Sequence, residues 1–274
     1  MQTDLGRCGL DAVLVTRTVA DSLHSMDCGC VIGLAARADF MGKMQMSDIT
    51  NGQDILAVWN DVDSEHEIEY HRWYWTQHLP ERLSVPGFLS AYRYRAVDAT
   101  QKFFTWYYVR NIEVLRSPPY LERLANPTEW TQRVMPSFRN MTRCACRLTF
   151  DRGRGLGSTT VVVRVTDRNS DSAKLAATLE GAVEQLYAAT DESILTRAQV
   201  WVTDREISNQ RTPEQALRGG VDQVIDCALV LHCASVDGAR EVASQLREVK
   251  MPYAAENADG PSIYALMHSL SVVG

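Results

Sequence analysis

Histidines and aromatic residues are concentrated in one short segment, residues 67–82. Three of the six histidines lie in or beside it: His66, His71 and His78. On a helix, His71 and His78 share a face because they are seven residues apart, and Tyr74 lies between them. A histidine among aromatic rings, close to a carboxylate or a phenol, can be a general acid or base near neutral pH. The segment predicts catalytic roles for His78 and His71, with Tyr74 as a hydrogen-bonding group. Core packing is the alternative.

Substrate-binding residues are predicted nearby and on two strands. Trp106 and Tyr108 alternate along the aromatic segment 103–108, so they would face the same side of a sheet, lining either a cavity or a packed core. Arg93 and Arg143 are predicted to meet on adjacent strands and to hold a carboxylate or enolate oxygen. The alternative is that either side chain alone points to solvent. Trp73, within the histidine segment, is assigned to substrate binding with them. A catalytic metal is not favoured, because helix-borne ligands prefer spacings of three or four.

The elements that would position these residues follow the order β-α-β-β-α-β twice. In the first half the pattern predicts strands at 55–60, 88–97, 102–109 and 141–150, a helix at 65–79 capped by Ser64 and ended by Pro80, and a helix at 119–125. In the second half it predicts strands at 159–166, 195–202, 224–233 and 262–270, and helices at 172–190, from Thr212-Pro213, and at 236–249.

This order predicts an α+β protein of two tandem ferredoxin-like units, with antiparallel sheets and helices on one face. The glycine-rich joint 151–157 marks the boundary between them. The predicted domains are a poorly defined N-terminal extension (1–50), a first domain carrying the motifs (51–152) and a second, degenerate domain (157–274).

Composition narrows the functional class. The net charge of −6 and the pI near 5.6 argue against a nucleic-acid partner. No stretch approaches the roughly 20 apolar residues of a membrane span, and the N-terminus lacks the form of a signal peptide, so a cytoplasmic location is expected. The seven cysteines do not suggest a disulfide framework. Cys144 and Cys146 are interpreted as small buried residues in preference to metal ligands.

The histidine segment also resembles EthD-like members of the dimeric α+β barrel superfamily. The resemblance covers roughly residues 53–150, and only the topology of the second half. One departure is Gln77, which occupies a position where such proteins often carry an acidic residue before the motif histidine. The matching residues are Tyr70, Trp73-Tyr74, His78, Pro80-Glu81-Arg82-Leu83, Val85-Pro86-Gly87-Phe88, Ala91 and Arg93.

The resemblance implies a small apolar cavity between sheet and helices, used for cofactor-independent chemistry. The function predicted here is a cofactor-free lyase, dehydratase or isomerase acting on a compact aromatic or unsaturated oxo-acid in catabolic or secondary metabolism. The alternatives are a heme- or hydrophobic-metabolite-binding protein, a cofactor-free monooxygenase, and a purely structural role. Heme is the alternative cofactor. A homodimer is possible, and the sequence leaves open whether the barrel closes within one chain or between two.

Overall fold

The computed structural model describes residues 53–167, 171–249 and 260–272, all of which belong to the unit Met46–Gly274. The predicted extension, residues 1–50, lies outside the described residues. The described strands are β1 (Asp54–Val62), β2 (Phe88–Asp98), β3 (Phe103–Val109), β4 (Phe138–Gly153), β5 (Thr159–Val165), β6 (Leu195–Thr203), β7 (Cys227–Cys233) and β8 (Ser262–Ser271).

Helices connect these strands. The α-helices are α1 (Glu67–Trp73), α2 (Leu79–Leu83), α3 (Pro118–Ala125), α4 (Glu129–Val134), α5 (Ser172–Ala189), α6 (Arg205–Ser208), α7 (Pro213–Arg218) and α8 (Val236–Glu248). A π-helical turn, Tyr74–His78, joins α1 to α2. Short 3₁₀ turns occupy Ser64–His66, Ile112–Arg116 and Met135–Ser137.

The strands form one closed antiparallel barrel in the order β1–β3–β2–β8–β5–β7–β6–β4, with β4 returning to β1. The predicted α+β class with an antiparallel sheet is confirmed. The two halves do not form two separate sheets, because their edge strands pair with each other as β2 with β8 and β4 with β6. These pairings leave no open edge, and they close the barrel within a single chain.

Alternation along each strand divides the buried residues between the barrel interior and the outer face, which the helices cover. The interior is aromatic: Trp59 stacks on Phe104 with ring centres 4.7 Å apart, and Trp106 and Trp201 pack beside them. On the outer face of the first half, Tyr70 and other residues of the helices pack against the sheet. Because both faces of β3 are covered, all seven of its residues are buried.

The helical segment after β1 differs from the prediction at both ends. It begins with a 3₁₀ turn at Ser64 that has no side-chain cap, and it continues past Pro80 to Leu83. Pro80 has no N–H to donate to the preceding turn, and it lies just after the π-helical turn, where the regular α-helical bonding pattern is already interrupted. Pro80 therefore does not end the helix.

Two other predictions need correction. Arg93 and Arg143 are not on adjacent strands, because β3 and β1 lie between β2 and β4. The segment 126–140, between the predicted helix at 119–125 and the predicted strand at 141–150, was assigned no element, but it contains α4 and the start of β4. In contrast, Cys144 and Cys146 are fully buried free thiols in the barrel interior, as their interpretation as packing residues required.

Candidate active site

His78 lies in the π-helical turn, between the helices and the outer face of the sheet. Its ring packs on Trp73 with ring centres 4.2 Å apart and meets the edge of Tyr74 at 5.0 Å. The side chain is buried, and Nδ1 has no hydrogen-bond partner among the described residues. Burial, reinforced by the charges of Arg82, Arg93 and Arg218, holds the pKa of His78 well below 6.5. The imidazole is therefore neutral at pH 7 and able to accept a proton.

His78 faces a cavity of about 30 Å³, which is enough for about one water molecule. Three guanidinium groups line it with a single carboxylate, that of Glu214. Arg82 forms a buried ion pair with Glu214, and Arg218 pairs with Asp222, which lies outside the cavity, at 2.7 Å. The third guanidinium group of the cavity belongs to Arg143.

Arg143 differs from the other two arginines in its partner. It is 8% exposed, and its Nη2 donates to the hydroxyl of Tyr120 at 3.1 Å. A phenol is a neutral acceptor, so this contact leaves the charge of the guanidinium without direct compensation. Arg143 is thus the cation of this cavity best placed to receive an anion.

A second cavity, of about 160 Å³, shares Arg143, Tyr120 and Thr212 with the first. Its remaining walls are largely apolar and include Leu115, Leu121, Leu124, Ile207 and Pro213. A cavity of roughly 150 Å³ can hold benzene in other proteins. The geometry therefore places an apolar compartment of aromatic-ring size next to the polar compartment of His78, with Arg143 at their boundary.

His71 belongs to a separate cluster, on the other side of Tyr74. Its Nδ1 lies 2.9 Å from Nη1 of Arg93, and its Nε2 lies 3.4 Å from Oε1 of Glu67. Because a guanidinium can only donate, Nδ1 is the acceptor and the ring is neutral. Burial and the charge of Arg93 lower the pKa of His71, against an opposing contribution from Glu67. His71 is thus engaged on both nitrogens.

Arg93 is fully buried, and its guanidinium packs against three aromatic rings. Its guanidinium carbon lies 4.3 Å from the ring centre of Tyr74, 4.8 Å from Tyr70 and 5.1 Å from Phe103. It does not line either cavity beside His78. Its position supports Tyr74 and, through Tyr74, the ring of His78. Substrate binding by Arg93 stays a prediction.

The predicted site residues therefore divide into three groups. His78, Tyr74 and Arg143 line one cavity, and Trp73 supports His78 from behind. His71 and Arg93 form the neighbouring cluster. Trp106 and Tyr108 lie inside the barrel, on the opposite face of β3 from Tyr107, so they do not contribute to this cavity.

Sequence reasoning missed five titratable residues of the cavity. Tyr107 lies on the opposite face of β3 from Trp106 and Tyr108, and it was not among the predicted residues. Arg82 lies in the motif that carried the resemblance, and its side chain received no role. Tyr120, Glu214 and Arg218 come from α3 and α7, and no local signal links those helices to His78.

Neither the cavity of His78 nor a larger cleft fits a heme. Heme iron takes an axial ligand from His, Cys, Met or Tyr, and none of these lines the cleft, which has a volume of about 740 Å³ and lies beside Asp61 and Thr142. His71 is engaged by Arg93, and the cavity of His78 is far smaller than a typical cofactor site. Among the described residues no group of three or more His, Cys, Asp or Glu could hold a metal ion, and no helix is long and apolar enough to cross a membrane.

No family model and no curated protein matches the sequence. Solved structures do match. One is an anthrone oxidase-like protein, with a TM-score of 0.55 and 11% identity, covering 81% of this chain and 94% of that chain. Another is a monooxygenase-like protein of Fusobacterium nucleatum subsp. nucleatum, with a TM-score of 0.50 and 8% identity, covering 81% and 96%. At such identities the matches establish the fold, and the chain has the fold of the dimeric α+β barrel (ferredoxin-like) proteins.

Proposed function

We propose that the protein is a cofactor-independent enzyme acting on a small molecule, with His78 as the general base. The observation that carries this proposal is the environment of His78: a buried, neutral imidazole with an unpartnered Nδ1, facing a cavity that also holds the Arg143 guanidinium. A base next to a cation suits removal of a proton from a carbon or oxygen whose conjugate anion needs stabilisation.

In the proposed step, Nδ1 of His78 accepts the proton and the bonding electrons remain on the substrate as an enolate or phenolate. The Arg143 guanidinium stabilises the oxygen that gains negative charge. The interaction is strong because both groups are largely withdrawn from water. The imidazolium that forms can return the proton at a different atom or to a leaving group, which completes an isomerisation or an elimination.

The two cavities also support a substrate class. The apolar compartment of about 160 Å³ suits an aromatic or unsaturated body, and Arg143 at its inner boundary suits a carboxylate or oxo group. The polar compartment has room for about one water molecule, so only the reacting end of the substrate would reach His78 without movement of the walls. A compact aromatic or unsaturated oxo-acid meets these requirements.

A cofactor-free monooxygenase is the second candidate, and the names of the two similar structures favour it. Its first step is the same proton transfer to His78. The resulting carbanion would then transfer electrons to dioxygen, in place of shifting a proton or expelling a group. Both candidates thus depend on His78, and they differ in the consumption of oxygen.

The test is turnover of a panel of oxo-acids, hydroxyaromatic compounds and anthrones, followed by NMR for product and for deuterium incorporation, and by an oxygen electrode. Replacing His78 with Ala should lower kcat/KM by roughly 100- to 10,000-fold, whereas replacing the exposed His66 with Ala should not. Circular dichroism would show that each variant is folded. Full turnover by folded His78→Ala would refute the proposal, and oxygen uptake matching product formation would select the monooxygenase.

A pH profile adds an independent test. Because the pKa of His78 lies well below 6.5, its base form predominates at neutral pH and through the mildly acidic range. The acid limb of kcat/KM should therefore appear only below the pH at which an ordinary histidine titrates, near 6.5. An acid limb at or above pH 6.5 would contradict the assignment of His78 as the base.

A further inference from the structure

Tyr107 is a buried phenol that has no role in the proposed reaction as described so far. It lies on the outer face of β3 and lines the cavity that His78 faces. Tyr107 is 2% exposed, and its hydroxyl has no hydrogen-bond partner among the described residues. Buried tyrosine hydroxyls usually find a partner, because an unpaired polar group withdrawn from water destabilises the folded state. The hydroxyl of Tyr107 therefore needs a reason other than the stability of the fold.

The surroundings of the Tyr107 ring are apolar, and the sheet holds the ring in place. β3 is paired on both sides, so that Tyr107 lies between Leu56 of β1 and Ala91 of β2. The ring meets Phe88 edge to face, with ring centres 5.7 Å apart. A phenylalanine would pack equally well against these three neighbours, and it would not bury an unpaired hydroxyl. Packing thus explains the ring of Tyr107 but not its oxygen atom.

Nδ1 of His78 and the hydroxyl of Tyr107 offer complementary groups to the same cavity, and neither atom has a partner among the described residues. The neutral imidazole nitrogen can accept a proton, whereas the phenol can donate a hydrogen bond. The phenol of Tyr120, by contrast, is engaged by Arg143 at 3.1 Å. Removal of a proton next to a carbonyl group needs a base at the carbon and a donor at the oxygen.

We propose that Tyr107 is a further catalytic residue, whose hydroxyl donates a hydrogen bond to the substrate oxygen that gains negative charge. This inference rests on the proposed function, in which His78 is the base. As Nδ1 of His78 accepts the proton from carbon, the C–H electrons form a carbon–carbon double bond and the carbonyl π electrons move to the oxygen. Tyr107 keeps its proton and stabilises that oxygen together with the Arg143 guanidinium.

Two properties of the site favour a hydrogen bond from Tyr107 over transfer of its proton. Burial raises the pKa of Tyr107 above its usual value near 10, so the phenol stays protonated at neutral pH. The cavity has room for about one water molecule, so an oxygen atom that enters it comes close to the groups that line it. A donor on a strand paired on both sides is also well fixed, so it need not reorganise as charge develops.

The test replaces Tyr107 with Phe, which removes only the hydroxyl. Tyr94→Phe, which removes a hydroxyl from a buried residue inside the barrel, is the matched control. With any oxo-acid that the protein turns over, Tyr107→Phe should lower kcat by roughly 100- to 1,000-fold, whereas Tyr94→Phe should not. The urea midpoint of Tyr107→Phe should equal or exceed that of the wild-type chain, because the variant loses an unpaired buried hydroxyl.

Binding of 4-nitrophenolate gives a readout that needs no turnover. Its negative charge is delocalised between the ring and the phenolic oxygen, as the charge of an enolate is shared between carbon and oxygen. Its ring suits the apolar compartment of about 160 Å³. In an absorbance titration, Tyr107→Phe should raise the Kd of 4-nitrophenolate about tenfold or more. It should not change the Kd of 4-nitrotoluene, which lacks the phenolic oxygen.

The inference is overturned if the wild-type chain does not bind 4-nitrophenolate, or if Tyr107→Phe binds it as tightly as the wild-type chain. Full turnover by Tyr107→Phe also overturns it, and so does a lower urea midpoint, which would show that the hydroxyl stabilises the free protein. The role of His78 is tested separately by His78→Ala. Failure of this inference is therefore distinguishable from failure of the proposed function.

Discussion

Nη1 of Arg93 lies 2.9 Å from Nδ1 of His71, and this contact fixes the state of both side chains. The guanidinium is fully buried and can only donate, so the imidazole must be neutral with its proton on Nε2, facing Glu67. The same guanidinium lies against the face of Tyr74, whose edge meets His78. The two histidines that stand out in the sequence are therefore linked through Arg93 and Tyr74, and His78 faces the cavity that it shares with Arg143.

The first prediction concerns the titration of His71. Replacing Arg93 with Met should raise the pKa of His71, because the substitution removes a nearby positive charge and a hydrogen bond that requires the neutral ring. Replacing Glu67 with Gln should lower it further, because the carboxylate favours the imidazolium. Histidine NMR would measure both shifts, with Arg110→Met at an exposed position as the control. An unchanged His71 titration in Arg93→Met would show that the contact is not maintained in solution.

The second prediction concerns the buried ion pair between Arg82 and Glu214, which links the first-half helices to α7. Glu214→Gln should lower the free energy of unfolding by about 3–5 kcal/mol, because it leaves the buried Arg82 charge uncompensated. The double variant Arg82→Met/Glu214→Leu should recover most of that loss, since apolar residues of similar size can replace a buried pair.

Urea unfolding of both proteins would measure this, with the exposed Glu122→Gln as a control expected to change stability by less than about 0.5 kcal/mol. If Glu214→Gln costs no more than Glu122→Gln, then α7 does not hold Glu214 against Arg82.

The third prediction concerns stability in acid. Both ring nitrogens of His232 lack partners among the described residues, and burial, with a smaller effect of Arg197, lowers its pKa to about 3. In the unfolded chain the same ring titrates near 6.5. Between these two pH values the unfolded state binds a proton that the folded state does not. The free energy of unfolding therefore decreases as the pH falls below 6.5, by about 1.4 kcal/mol per pH unit.

His232→Leu should therefore lose less stability than the wild-type chain on going from about pH 6.5 to about pH 5, by roughly 2 kcal/mol. Urea unfolding at the two pH values would test this, with His66→Leu at an exposed position as the reference. Equal losses in His232→Leu and the wild-type chain would mean that His232 is protonated in the folded protein.

The fourth prediction compares two glycines. A Cβ at Gly157 would lie 1.8 Å from the carbonyl oxygen of Cys233, whereas a Cβ at Gly181, in α5, would meet nothing within 4 Å. Gly157→Ala should thus destabilise the protein by about 3 kcal/mol or more, because backbone must move. Gly181→Ala should stabilise it by about 0.5–1 kcal/mol through its higher helix propensity. Thermal unfolding would rank the two; a neutral Gly157→Ala would contradict the close approach of the joint to β7.

The sequence determined the local elements and part of the candidate site. Hydrophobic periodicity depends on neighbours within one or two turns, so it located most strands and helices within a few residues. The helix predicted to start at Thr212-Pro213 does so, and there the Thr212 hydroxyl accepts a hydrogen bond from the Gln215 N–H. The clustering of His78, Tyr74 and Trp73 likewise follows from their spacing on one helical segment.

Only the tertiary structure decided which face of β3 meets the helices, that both halves close one barrel, and that Glu214 reaches Arg82 across 132 residues. A strand's pattern shows that two faces exist but does not show what covers each one, so the alternation left open whether Trp106 and Tyr108 line a cavity or a packed core. In the structure both lie inside the barrel, and Tyr107 on the other face lines the cavity of His78. Pairings between distant segments depend on the packing of the whole chain, and no local spacing encodes them.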